Sequence, residues 1–319
     1  MRNKTNILDL IKVVACVLIV GSHCLPLFRN DGLNYYYGQW FFRFCVPLFF
    51  VSTGYFFAKM EVARKKAYIK RIVLLYLGAS LLYFPLYFNG GIVLIMSNLI
   101  FGFHHLWYLS ALAMGLIIVT IAQKVMKNRK YLLIIPLAGG VLFTEYYKLL
   151  NIEALSYFAR IVSTLGGSKH AVFFATPMLL VGDLIARQQS CEEHSFVNKL
   201  ICIWTLVILF AASFCEATIL KNLLGSQIRL DVSLFGWTPS VPLLILGLNS
   251  RTIVSPEISR KVRKVTDVVY IIHVWVIEIV DRITRLEYTG KFLIVTVISF
   301  AIACFVLALC HTMHRVENT

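Results

Sequence analysis

Stretches of about twenty predominantly apolar residues recur along this chain, and they limit its fold more than any other feature. A helix needs about 20 such residues to cross a bilayer, and these stretches are too long and alternate too little for an outer-membrane barrel. Ten stretches approach that length, the sixth and eighth being short: 7–28, 40–58, 68–88, 106–123, 131–149, 171–187, 199–216, 232–248, 265–284 and 291–311.

Composition agrees with this pattern. Hydrophobic residues make up 59% of the 319 residues and charged residues 15%, against about 25% charged in soluble domains. The chain is therefore predicted to be all-α, a polytopic membrane helix bundle of about ten transmembrane helices. It is expected to form a single domain over residues 1–319. Residues 92–103 are apolar but too short to cross, which predicts an interfacial or re-entrant segment.

The first stretch resembles a signal peptide because Arg2 and Lys4 precede it. It exceeds twenty residues, lacks an A-x-A cleavage site and is followed by further spans, so we interpret it as an uncleaved first helix. The eight cysteines form no CxxC pair and mostly lie in apolar stretches. They are expected to pack as small apolar side chains, and neither a metal site nor a bound cofactor is predicted.

Positive charge indicates the topology. With ten crossings and both termini in the cytoplasm, 20 of the 31 Lys and Arg residues fall in cytoplasmic segments, as the positive-inside rule requires. The formal charge of +15 is thus mainly a topology signal, with anionic lipid or a phosphorylated cytoplasmic ligand as secondary possibilities, and no nucleic-acid role is expected. The predicted location is the cell membrane.

The first helix carries Asp9, Lys12 and His23 inside its apolar stretch. Ionisable groups cost a few kcal/mol each inside a spanning helix and tend to mark functional sites. Lys12 and His23 are eleven residues apart, which places them on one face and about 16 Å apart along the axis. Asp9 is one turn from Lys12 and can pair with it, which lowers the cost of burial. Alternatively, Lys12 reaches the interface and His23 is a structural hydrogen-bonding residue.

Other polar residues recur near the predicted membrane faces. Arg43 and His105 are expected near the outer side, where they are either parts of a polar chamber or an interfacial anchor and a loop residue. Trp107 can belong to an aromatic belt. His273 is expected deep in the ninth span, where it is either structural or functional.

On the inner side, a basic cluster contains Lys66, Lys70 and Arg71. Such a cluster can bind phosphates, and a plain positive-inside loop explains it about as well. The sequence contains no GxSxG, HExxH, P-loop or GxGxxG motif in a suitable context. Histidine is therefore the available catalytic group, because its pKa suits general-base activation of a hydroxyl.

Four motifs, in order along nearly the whole chain, resemble the acyltransferase-3 family of integral membrane acyltransferases. They are Lys12-x10-His23, FRFCVPLFFVSTGYFF (42–57), HLWYLSAL (105–112) and VYIIHVW (269–275). The family often has R-x-x-R after its second span, whereas here the sequence reads KKAYIKRI (65–72). Lys66, Lys70 and Arg71 are plausible substitutes.

Within that family, HCLPL, VPLFF and FFATPMLLVG especially resemble the membrane half of the vancomycin-resistance serine/alanine racemases. Those relatives continue into a pyridoxal-phosphate-dependent racemase domain, which is not expected in this sequence. Racemase activity is therefore not implied.

The resemblance implies transfer of an acyl group, acetyl in the first instance, from cytoplasmic acyl-CoA to a hydroxyl of a cell-envelope glycan or lipid-linked sugar. In that reading His23 is the general base or carries the acyl group transiently. Arg43, His105, Trp107 and His273 would bind or orient substrates or stabilise the oxyanion. Lys12, Lys66, Lys70 and Arg71 would hold the donor, with Asp9 in support.

Two alternatives remain at this point. A transporter for a small solute such as L-serine would also use buried ionisable residues, although clear inverted repeats are absent. A non-catalytic membrane partner in glycopeptide resistance would tolerate replacement of Lys12, His23 and Arg43.

Overall fold

The structure is a computed structural model that describes residues 7–126, 131–141, 153–164, 166–188, 196–227, 230–250 and 255–316, together with Tyr146 and Leu149. Within these ranges the chain is helical and contains no strand. The α-helices are α1 (Leu8–His23), α2 (Asp31–Tyr36), α3 (Cys45–Ala58), α4 (Val62–Tyr83), α5 (Gly91–Phe101), α6 (Trp107–Val125), α7 (Tyr131–Gly139), α8 (Glu153–Thr164), α9 (Thr176–Gln188), α10 (Phe196–Leu224), α11 (Ser240–Asn249), α12 (Pro256–Ile283) and α13 (Tyr288–Val316). The prediction of an all-α membrane bundle is confirmed.

By length and composition, six described segments can cross a membrane: Asp31–Ala58, Val62–Leu86, His104–Val125, Ala171–Gln188, Lys199–Leu224 and Tyr288–Cys310. They correspond to six of the ten predicted stretches, and the number of crossings stays a prediction. The first and eighth stretches form α1, with 16 residues, and α11, with 10 residues. Residues 142–145 and 147–148 of the fifth stretch lie outside the described residues.

Several helices extend beyond the predicted apolar boundaries. α12 begins at Pro256, nine residues before the predicted start, because Ser255 caps it by accepting a hydrogen bond from the Ile258 N–H. Proline is well suited to the first helical position. α4 likewise begins at Val62, so its basic residues lie on a helix and not in a loop.

The chain divides into two compact units. The first unit comprises Met1–Cys45, Ser195–Gln227 and Thr238–Thr319, and the second comprises Val46–His194 and Ile228–Trp237. The single domain predicted over residues 1–319 stays a prediction.

In the first unit, α1 packs against α11, α12 and α13. Their shared core consists of apolar residues, all but one of them small or β-branched: Cys16, Val20, Cys24, Leu27, Val269, Val276, Ile277, Val280, Val295 and Ala303. The cysteines of this core are free, as expected for packing residues.

In the second unit, α3 and α9 cross with their backbones in contact. A Cβ atom added at Gly54 would collide with the carbonyl oxygen of Leu179. A Cβ atom added at Gly182 would collide with the carbonyl oxygen of Val51. Because small residues allow the close helix approach that drives packing in membranes, these two glycines set the distance between α3 and α9.

The short helix α5 has 11 residues, in agreement with a segment too short to cross. Side chains of α4 and α6 contact three of its last four carbonyl groups, at residues 98–100. The Tyr76 hydroxyl lies 3.2 and 2.8 Å from the first two, Ser110 donates to the third at 2.5 Å, and His170 Nε2 lies 3.3 Å from Ser110 Oγ. The last carbonyl groups of a helix have no partner within the helix, and this arrangement, the α5 cap, supplies partners for them.

Candidate active site

The chain around His23 is fixed from both sides in the first unit. His23 is the last residue of α1. Beyond it, the buried Asn34 side chain accepts hydrogen bonds from the Leu27 and Phe28 N–H groups at 2.8 and 2.9 Å and donates to the Phe28 carbonyl at 2.7 Å. The Thr289 hydroxyl donates to the Leu27 carbonyl at 2.8 Å. These bonds hold in place the chain that follows His23.

The structure brings His23 and His273 together. Their ring centroids are 5.1 Å apart, with planes inclined by 50°. His273 is completely buried, and its Nδ1 lies 2.8 Å from the Tyr270 carbonyl oxygen and 3.1 Å from that of Val269. Since a carbonyl only accepts hydrogen bonds, a neutral His273 carries its hydrogen on Nδ1. The His23 side chain is half-buried against this fixed ring.

Asp9 and Lys12 form part of a charged network between α1 and α12. The Asp9 carboxylate accepts hydrogen bonds from Arg263 Nη1, at 2.7 Å, and from the Ser259 hydroxyl. Lys12 lies within electrostatic reach of Asp9 and of Asp267. Asp9 and Lys12 attract each other electrostatically, and the direct pairing of the two stays a prediction. The partners of Asp9 on α12 were missed because they are some 250 positions away in the sequence.

Arg43 also belongs to the first unit and lies in the turn before α3. Its guanidinium carbon is 5.6 Å from the centroid of the Phe42 ring. Phe42 stacks on Tyr37 at 6.0 Å, and the Tyr37 hydroxyl donates to the Leu18 carbonyl of α1 at 2.8 Å. A chain of aromatic contacts thus links the Arg43 turn to α1.

His105 and Trp107 lie in the second unit, at the start of α6. His105 is buried and its ring meets Tyr83 edge to face at 4.9 Å, so it is not an exposed loop residue. Trp107 is partly exposed and lies 5.6 Å from the Lys169 Nζ, which pairs with Asp231 at 3.3 Å. Two ionisable side chains thus lie near this tryptophan.

Lys66, Lys70 and Arg71 are all exposed on the first turns of α4, also in the second unit. Lys66 and Lys70 are four residues apart and therefore lie on one side of the helix. Exposed cations on one helix can attract an anionic ligand, as the sequence indicated, although nothing in their geometry selects a particular ligand.

One buried pair, Ser110 and His170, was not predicted. Ser110 Oγ lies 3.3 Å from His170 Nε2, and both side chains are nearly inaccessible. Because Ser110 also donates to a carbonyl of α5, the pair serves the α5 cap. The sequence offered little signal for it, since sixty residues separate the two positions.

The stability of the second unit should depend on pH through His170, which precedes the span Ala171–Gln188. The pKa of His170 is lowered to about 4, chiefly by burial; interaction with the Phe101 backbone opposes this shift, and the nearby Lys169 charge adds to it. Between about pH 6.5 and 4 the unfolded chain therefore binds more protons than the folded one. We expect the transition temperature to fall as the pH is lowered through this window. The free energy of unfolding should fall by at most about 3 kcal/mol.

The measurement is thermal unfolding of the detergent-purified chain at a series of pH values. His170→Gln should flatten the pH dependence between pH 4 and 6.5. The matched control is His104→Gln, because His104 is exposed and should leave the dependence intact. An equally steep dependence in His170→Gln would show that another group is responsible.

A protein-family model described as an acyltransferase domain matches residues 5–310 of the chain. An amino-acid racemase of Enterococcus faecalis is 28% identical over 345 residues, covering 97% of this chain and 47% of the racemase. A serine/alanine racemase of Enterococcus gallinarum is 29% identical over 223 residues, covering 61% of this chain and 30% of that protein. The chain thus spans less than half the length of these relatives. No solved structure matches it significantly.

Proposed function

Because this chain belongs to the acyltransferase-3 family, whose domain spans residues 5–310, we propose that it is a membrane O-acyltransferase. It moves an acyl group, acetyl in the first instance, from cytoplasmic acyl-CoA to a hydroxyl of a cell-envelope glycan or lipid-linked sugar. The observation that carries this proposal is the contact of His23, at the end of α1, with the buried His273. The His23 imidazole, held against His273, can serve as a general base for a hydroxyl.

In the proposed reaction His23 accepts the proton of the acceptor hydroxyl while the oxygen attacks the thioester carbonyl. The new carbon–oxygen bond forms, the carbon–sulfur bond breaks, and the coenzyme A thiolate leaves and takes the proton back from His23. The partial negative charge at the carboxyl end of α1 stabilises the imidazolium that forms in between. His273, held by its own helix backbone, lies against the His23 ring and limits its movement.

The other residues are assigned by the family motifs. Arg43 is proposed to stabilise the developing oxyanion. His105 and Trp107 are proposed to bind the acceptor, because a tryptophan face suits the apolar face of a sugar ring. Lys66, Lys70 and Arg71, exposed on α4, are proposed to attract the anionic donor toward the protein by long-range electrostatics, without direct contact with its phosphates.

Lys12 and His23 lie on one continuous helix, α1, about 16 Å apart along its axis. Such a separation suits a donor whose phosphates and thioester are at opposite ends of the molecule. We propose accordingly that the termini are cytoplasmic, that Lys12 lies toward the donor side, and that His23 lies toward the outer side of the cell membrane.

The test is transfer of label from radioactive acetyl-CoA to an envelope glycan in membranes that contain the protein. Membranes without the protein are the control, and mild alkali should release the label because it hydrolyses esters. Absence of label from the glycan, with folded protein present in the membranes, would contradict the proposal.

A transport function is the second candidate, because the Asp9, Lys12 and Asp267 network resembles the ionisable sites used for proton coupling. The racemase names of the relatives suggest L-serine as its solute. Uptake of labelled L-serine into vesicles without acyl-CoA would favour this candidate. A non-catalytic partner would instead tolerate replacement of Lys12, His23 and Arg43 without effect.

A further inference from the structure

Near the starts of α1 and α12, two neighbouring side chains hold the side chain of Arg263 in place. Asp9 is largely buried, with its side chain 13% exposed, and accepts the hydrogen bond from Arg263 Nη1 at 2.7 Å. The buried Ser259 hydroxyl lies 3.3 Å from the same nitrogen and also donates to Asp9. Because two partners hold one edge of the guanidinium, the direction of the Arg263 side chain is fixed.

The same arginine remains open to a ligand. Its side chain is 52% exposed although it contacts Asp9 and Ser259. A guanidinium carries five N–H donors in a rigid planar fork, of which the contacts with Asp9 and Ser259 use only Nη1. The fork matches the oxygen atoms of a phosphate, and its prior fixation reduces the entropy lost on binding.

Positive charge accumulates around Arg263. Ser259, Arg263 and Asp267 follow one another at intervals of four residues, so they lie along one side of α12. Four cations and two carboxylates lie on these turns of α1 and α12, which we name the α1–α12 surface: Lys12, Arg260, Arg263, Lys264, Asp9 and Asp267. Lys12 and Arg263 repel each other electrostatically, which a polyanion would relieve.

Resting on the acyl transfer proposed above, we propose that the α1–α12 surface binds the nucleotide end of the acyl donor, a nucleoside 3′,5′-bisphosphate. Arg263 pairs with a phosphate through its fork, and Lys12 and Arg260 add point charges. The reacting thioester lies at the far end of the same donor. The separation of Lys12 from His23, about 16 Å along α1, accommodates this length within the first unit.

The experiment is equilibrium binding of adenosine 3′,5′-bisphosphate to the purified full chain. Arg263→Gln should weaken binding roughly tenfold or more, because a charged hydrogen-bond partner of the phosphate is lost. Glutamine can still donate to Asp9, which protects the fold. Arg260→Gln is the second variant, since it leaves the Asp9 contact intact, and it should also weaken binding. Affinity of the native chain should fall with added salt.

Lys261→Gln is the matched control, because Lys261 is exposed on the same turns and pairs with Glu257 at 2.8 Å. Unchanged affinity in both arginine variants would overturn the proposal. A second result would also overturn it: the native chain does not bind the bisphosphate, and the Arg263→Gln variant loses the anionic phospholipid that copurifies with the native chain. That result would identify a lipid site.

The outcomes for the site and for the reaction are separable. Bisphosphate binding that depends on Arg263, without any acetyl transfer, would support the site and reject the reaction. Acetyl transfer with an unchanged KM for acetyl-CoA and unchanged binding in both variants would support the reaction and reject the site.

Discussion

Replacing His23 by alanine is expected to lower the rate of acetyl transfer by a factor of about 10² to 10⁴, the usual contribution of a general acid–base residue. The imidazole is the only part of the side chain that can accept the acceptor proton, and alanine leaves none. The Lys12 end of α1 is unchanged, so the KM for acetyl-CoA should stay within about threefold of the native value if binding there is independent of chemistry.

The measurement is initial-rate transfer of labelled acetyl groups at equal amounts of folded protein in the membrane. His104→Ala is the control because His104 is exposed and should retain native activity. Full activity of the His23→Ala variant would remove His23 from the mechanism.

The second large effect concerns the crossing of α3 and α9. Gly182→Ala adds a single methyl group directly against the Val51 carbonyl oxygen and 2.5 Å from the Tyr55 nitrogen. These are backbone atoms, so no flexible side chain can move aside and the helices must separate. Overpacking of this kind costs about 3 kcal/mol or more, and we expect the thermal transition to fall by about 5–10 °C, or folded protein to be lost.

Gly78→Ala in α4 is the matched control. A Cβ atom at Gly78 has no neighbour within 4 Å, and alanine is the better helix former, so stability should be unchanged or slightly higher. Size-exclusion chromatography after graded heating in detergent measures both variants. A Gly182→Ala protein as heat-resistant as the native chain would mean that α3 and α9 can separate without cost.

Hydropathy predicted the class of fold and the short α5, because membrane helices are set by local apolar length. Hydropathy was less informative about the helical turns that extend beyond the apolar stretches. The turns of α12 that contain Arg260 and Lys264 are charged and lie outside the predicted apolar stretches, yet they are helical because Ser255 caps them. The charges did not prevent a helix, since exposed helical turns accept lysine and arginine readily.

For the site, helical periodicity predicted that Lys12 and His23 share one face of one helix, and α1 is continuous between them. Periodicity cannot predict which distant residue each one meets. The contact of His23 with His273 and the ion pair of Asp9 with Arg263 depend on the packing of α1 against α12. The sequence motif indicated His273 as functional, whereas no local signal distinguished Arg263 from the other basic residues.

The α5 cap has a consequence for the order of biosynthesis. Tyr76 precedes α5 in the chain, but Ser110 and His170 follow it. The carbonyl of residue 100 therefore lacks its partner until the ribosome has made Ser110, and Ser110 lacks its own partner until position 170 has been made. The hydrogen bonds at the end of α5 are thus complete only after α6 and the residue that precedes the Ala171–Gln188 span have been synthesised.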